Sequence, residues 1–258
     1  MRRILITGDT HRNFSHLKGY NDEPTVMIIL GDAGINYCLD QRDADFKRSL
    51  ARKFNNITFL CVRGNHEERP SNLDMVIKDI TTQEYTGTFY IEPEFPNILY
   101  FIDGTYYNIG GRSIFVMGGA YSVDKYYRLA MGYKWFPEEQ MNEMERIQMT
   151  CLFDHGYPVD MIFTHTCPYT WQPFDLFLAG IDQSTVDHSM EEFFQEMLDM
   201  ERARDIQMFN TWCFGHFHSD RVCGDNDRGV MLSNKVITLD DAYHGIIREA
   251  WYNYGEQN

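Results

Sequence analysis

The chain has 258 residues, 43% hydrophobic and 24% charged, enough to bury a substantial core, and residues 1–258 are expected to form one domain. Its 23 basic and 38 acidic side chains leave a formal net charge of −15 at pH 7, which opposes nonspecific attraction to DNA, RNA or anionic membranes. No apolar run approaches membrane-spanning length, and Ile4-Leu5-Ile6 is far too short for a signal-peptide core. The six cysteines form no Cys-x-x-Cys pair and read as buried free thiols, so a reducing, cytoplasmic setting is expected.

In chain order, the runs 3–7, 26–30 and 57–62 are short, branched and apolar, as strands buried on both faces are. Each ends at a glycine-containing turn with polar side chains. Residues 43–54 carry helical spacing, and a helix there would be the crossover that makes the second and third strands parallel neighbours. From 86 to 121 the runs 89–91, 98–102, 105–109 and 113–117 are separated by Pro93, Pro96, Asp103-Gly104 and Gly110-Gly111, so a more antiparallel section is expected. Helical spacing returns at 137–152 and 186–204. The latter should turn Phe193, Phe194, Met197 and Leu198 inward and leave Glu191, Glu192, Gln195 and Asp199 as a solvated face. A strand into Cys213-Phe214 and a closing hairpin through 230–238 complete the expected elements.

Five of the nine histidines lie in short turns at the ends of these runs. The turns read Gly8-Asp9-Thr10-His11, Gly31-Asp32, Gly64-Asn65-His66-Glu67 and Gly215-His216-Phe217-His218, with His165 directly after the run 161–164. Each alone is ordinary turn chemistry; together they gather ionisable groups at one sheet edge. Two carboxylates there, Asp9 and Asp32, would repel by roughly 4 kcal/mol at about 4 Å and an effective dielectric near 20, and divalent cations reverse that sign. Imidazole and carboxylate ligands suit manganese, iron, nickel or zinc. No thiolate lies in the turns, so a borderline transition-metal pair is expected rather than a structural zinc.

The ordered set Asp-x-His, Gly-Asp, Gly-Asn-His-Glu, a lone His and Gly-His-x-His, running from Asp9 to His218, resembles the calcineurin-like metallophosphoesterase superfamily. The resemblance implies an α/β fold, a four-layer α/β/β/α sandwich of two mixed β-sheets flanked by helices. It also implies two divalent metal ions at the carboxyl ends of the central strands, manganese foremost, with iron, zinc or nickel as alternatives. It assigns Asp9, His11 and His218 to one ion, Asn65, His165 and His216 to the other, and Asp32 to both. His66 is then a catalytic residue that binds no metal. Two ions about 3.5–4 Å apart lower the pKa of a shared water from 15.7 towards about 7. Attack of a bridging hydroxide on a phosphate ester is therefore expected, with His66 protonating the leaving oxygen.

Departures from relatives narrow the substrate. Residues 63–67 resemble the block of protein serine/threonine phosphatases, which also carry an Asp and an Arg shortly after the bridging Asp; here Ala33, Gly34 and Ile35 follow Asp32. A protein phosphatase is not expected, and the carboxylate that would orient His66 is replaced by Glu67 or by nothing. Arg12 stands where many relatives have Gly, and is either a phosphate contact or an exposed loop arginine. The stretch 118–135 sets Tyr121, Tyr126, Tyr127, Tyr133 and Trp135 among Lys125, Arg128 and Lys134, a pattern that suits nucleobase stacking or plain packing. Substrate contacts are sought at Arg12, Tyr121, Lys125 and Arg128. The expected substrate is a small nucleotide or other phosphoester, mono- or diester. A nuclease, or a non-catalytic metal-binding scaffold or interaction module of the same fold, remains the alternative. His16, His155, His188 and His244 belong to no motif.

Overall fold

Alternation of apolar side chains along the strands sets the layers. β1 (Arg3–Thr7), β2 (Thr25–Ile29) and β3 (Ile57–Cys61) are parallel neighbours, and α1 (Gln41–Lys53) is the crossover between β2 and β3. Ile6, Ile28 and Leu60 point to one face while Leu5, Met27 and Phe59 point to the other, and all are buried. That double burial explains why these strands read as unbroken apolar runs. The computed structural model describes residues 2–177 and 182–247.

The antiparallel middle section is β4 (Val76–Thr81), β5 (Tyr85–Ile91), β6 (Ile98–Phe101), β7 (Thr105–Ile109) and β8 (Arg112–Met117). β5 divides one edge between two partners: Phe89–Ile91 pairs with β6, and Tyr85 and Thr86 pair with β7. β6 then lies parallel to β3, whereas β8 continues into β9 (Val159–Thr164) and β10 (Phe209–Phe214), all parallel. Among the described residues, hydrogen bonding therefore runs without a break through a mixed sheet of 13 strands. The two sheets of the expected sandwich are the two halves of this one curled ladder. Between them lies a core in which Ile6, Ile28 and Leu60 meet Val116, Phe163 and Cys213.

Helices close the outer faces. α1 packs through Leu50 against the β1–β3 half. α3 (Glu143–His155) and α4 (Ser189–Arg204) cover the other half with Met149, Phe153, Phe193, Phe194, Met197 and Leu198. The order is helix, half-sheet, half-sheet, helix. A capping box between Asn142 and Glu145 starts α3 later than residue 137, because it satisfies the first free amides there. Among the described residues, no helix is long and apolar enough to cross a membrane. All six cysteines are free, with Cys61, Cys167 and Cys213 buried, Cys38 and Cys223 half-buried and Cys151 exposed.

The expected closing hairpin does not form. β12 (Gly229–Met231) lies between β10 and β11 (Arg221–Cys223), while β13 (Ile237–Thr238) pairs antiparallel with β1 on the far edge. The intervening segment passes over the strand ends, where Leu232 N–H donates to Phe214 and Gly8 N–H donates to Ser233. These bonds tie the carboxyl ends of β10 and β1, one from each half. Gly8 is required at that crossing, since a Cβ there would lie 1.9 Å from the Leu232 carbonyl oxygen. Gly8→Ala is expected to cost about 2 kcal/mol or more in a urea denaturation of the metal-free protein; an unchanged midpoint would show that the crossing has room.

Candidate metal centre

Strand register brings the motif turns to one place. β1, β2 and β3 in one half, and β9 and β10 in the other, all deliver their carboxyl ends to the same edge, the position at which open α/β sheets bind ligands. The backbone there is strained. His11, Asp32, His216 and His218 all have positive φ, between 43° and 68°, a conformation that costs a non-glycine residue on the order of 1–2 kcal/mol. Gly31, at φ 94°, makes room for His165: a Cβ would sit 2.0 Å from its Nδ1.

Asp9, His11 and His218 offer ligand atoms within 4.8 Å of one another, and so do Asp9, Asp32 and His165. His11 Nε2 and His218 Nε2 are 3.0 Å apart, about the separation of adjacent octahedral ligands at bond lengths near 2.1 Å. Asp9 Oδ2 is buried without a hydrogen-bond partner. His165 Nδ1 lies 2.8 Å from the Leu30 carbonyl, which can only accept, so that nitrogen carries hydrogen. Its Nε2 then faces two further acceptors, Asn65 Oδ1 at 2.9 Å and Asp32 Oδ2 at 3.5 Å. A cation there, proton or metal, reconciles that contact. The donor set therefore fits divalent transition metals, with the Leu30 bond fixing the His165 ring as carbonyls fix metal-bound imidazoles.

Charge follows the same geometry. Burial pushes the Asp9 carboxyl up to about 7, with His165 opposing the rise and Asp32 adding to it. Burial would raise Asp32 too, but His165, by charge and hydrogen bond, together with His66 and His11, holds it well below the usual carboxylate range. His165 resists its own burial because Asp32 and Asp9 favour its cation, and it titrates at about 9. Burial lowers His11, His66 and His218, and lowers His216 furthest. The shifts favour the neutral imidazole, the form in which His11, His216 and His218 could ligate metal.

A cavity of about 340 Å³ opens on Asp32, Asn65, His66, His216 and His218. A profile of the calcineurin-like phosphoesterase family matches residues 2–220. The chain belongs to that family. Among solved structures, the phosphopantetheinyl hydrolase from Mycobacterium tuberculosis is similar over 90% of this chain and 89% of that one, at 12% identity and a TM-score of 0.42. None of the curated proteins compared with it matches.

Around the ligand set, this phosphoesterase carries supports that no local motif announces. Asn65 Nδ2 donates to Ser122 Oγ at 2.8 Å, and Ser122 Oγ donates to the buried Glu139 Oε2 at 2.5 Å. That relay turns Asn65 Oδ1 towards His165. Glu67 does not orient His66: its buried carboxyl accepts from Gly64 N–H at 3.3 Å, and burial with the Asp32 charge raises it to about 7. The group on His66 Nε2 is instead Arg128, whose NH2 lies at 3.2 Å, with both Asp124 carboxylate oxygens 2.8 Å from the Arg128 Nε.

The remaining expected contacts divide. Tyr121 lines the cavity. Arg12 does not: its guanidinium pairs with Asp43 at 2.6 Å and lies 4.3 Å from the Phe46 ring centre. Lys125 is also absent from the lining, with its ammonium 4.1 Å from the Trp135 ring centre. Residues 125–131 form a helix, α2 (Lys125–Met131), with no buried residue, so Tyr126 and Tyr127 are exposed rather than packed or stacked over the site. Glu191, expected in solvent, is buried on the first turn of α4 and joins the cavity wall, as do His188 and Gln172. Ser122→Ala is expected to weaken Mn²⁺ binding by about 10–100-fold in calorimetry, because the Asn65 amide loses its anchor. Unchanged affinity would remove the relay from metal binding.

Proposed function

We propose that this phosphoesterase hydrolyses a small phosphate ester with two divalent transition-metal ions held by the seven motif side chains, manganese foremost. The carrying observation is the convergence of motif turns from both halves of the sheet, with Asp9 common to both groups of candidate ligands and Asp32 lining a cavity large enough for one small ligand. In this reading Asp9, His11 and His218 hold one ion, Asn65, His165 and His216 the other, and Asp32 both. The chemistry such a pair supplies when bound is charge neutralisation on phosphate and a nucleophilic water at neutral pH.

The chain's own residues then do the rest. In this reading His66, half-buried beside Asn65 and with Nε2 4.0 Å from Asp32 Oδ2, gives the leaving oxygen its proton from the cationic form that Asp32 favours and that burial and Arg128 oppose. Arg128, like Arg12 and Lys125, is not among the lining residues; it meets the cavity wall through Asp124 and His66, and its guanidinium suits a phosphate oxygen that reaches past them. The described residues lining the cavity include no lysine or arginine but do include Asp124 and Glu191. Such a wall favours a compact ester over an extended polyanion.

A panel of p-nitrophenyl phosphate, its bis ester, cyclic nucleotides and single-stranded DNA, assayed with Mn²⁺, tests the reading. Turnover of a small ester is expected, and loss of all turnover in Asp32→Asn. Activity on DNA alone would make the chain a nuclease, and no activity with metal bound would make it a scaffold. His66→Ala is expected to slow alkyl esters at least about 100-fold and activated aryl esters far less, at unchanged metal content, since only poor leaving groups need the proton. Equal losses would take His66 out of the acid role.

A further inference from the structure

Away from the motif residues, the same cavity is walled by Gln172, Leu176, Phe177, Val186, Glu191 and Phe217. Glu191 is 4% exposed and Gln172 6%. Glu191 Oε1 accepts from Thr166 Oγ1 at 2.6 Å and Oε2 lies 4.0 Å from His188 Nδ1, but among the described residues neither Oε2 nor Gln172 Nε2, both buried, has a hydrogen-bond partner. A buried acceptor and a buried donor, both unsatisfied, weigh against folding. Packing does not call for them. Met190, Phe193 and Phe194 beside Glu191 are all buried, and an apolar side chain at 191 would join them without that cost. The remaining wall is apolar, and the Phe177 and Phe217 rings lie within 20° of parallel, with centroids 6.2 Å apart.

We infer that this part of the cavity is a nucleobase subsite. A ligand N–H donates to Glu191 Oε2, a neighbouring ring nitrogen or carbonyl accepts from Gln172 Nε2, and the flat ring lies against the phenyl groups. Adjacent donor and acceptor on the edge of an apolar-faced ring is what nucleobases present and what aryl or sugar phosphates lack. The inference rests on the hydrolytic reading of the metal centre and narrows its substrate to phosphoesters of nucleosides. It moves base recognition from the exposed aromatic helix α2 to the wall formed by Gln172 and α4.

Nucleosides without phosphate separate the subsite from the metals. Adenosine, guanosine, cytidine and uridine, with ribose as the baseless control, are titrated into the Mn²⁺-loaded protein and followed by NMR. At least one nucleoside is expected to bind about tenfold or more tightly than ribose. Glu191→Gln and Gln172→Leu, each checked for a cooperative melt, are expected to bring that ratio towards one. Equal binding of ribose and all four nucleosides, or a ratio that survives both substitutions, overturns the subsite. Turnover of aryl esters without nucleoside preference would retire the subsite alone; nucleoside preference without turnover would retire the hydrolytic reading and leave a base-binding pocket.

Discussion

Two buried carboxylates, Asp9 and Asp32, share one sheet edge with five imidazoles, and that crowding holds only around positive charge. In the protein alone both aspartates favour a proton on His165, whose Nε2 meets Asn65 Oδ1 at 2.9 Å. Left-handed backbone at four of the candidate ligands adds a cost that local structure does not repay. On the proposed metal-binding reading these features have a common explanation.

The fold exists to enforce that meeting. Parallel strands in each half place their ends on the same edge, and the split pairing of β5 curls the ladder so that the halves face each other. The crossing from β12 to β13 ties the ends of β10 and β1 together beside Asp9. Its passage over Gly8 leaves no space for a side chain, so the position of Asp9 is set by backbone rather than by side-chain packing.

Much of this was legible in the sequence because it is local. Strands such as 3–7 and 57–62 announce themselves by unbroken apolar runs, and each ligand sits within four residues of a strand end. No closing hairpin forms because β12 and β13, neighbours in sequence, pair at opposite ends of the ladder, which only its curl decides. α2 leaves no periodic signal because it buries nothing. Arg12 is occupied by Asp43 and Phe46 from α1, and Lys125 by Trp135 of its own stretch, contacts that the spacing of residues does not fix. Glu191 broke the amphipathic rule, and Ser122 and Glu139 carried no motif at all; their roles arise from long-range contacts.

The most direct measurement is an anomalous difference map from crystals of the Mn²⁺-loaded protein, collected on either side of the manganese absorption edge. Two peaks about 3.5–4 Å apart, with Asp32 between them, is the predicted result. A single peak, or none within reach of Asp32, would contradict the central claim that these turns converge to hold a metal pair.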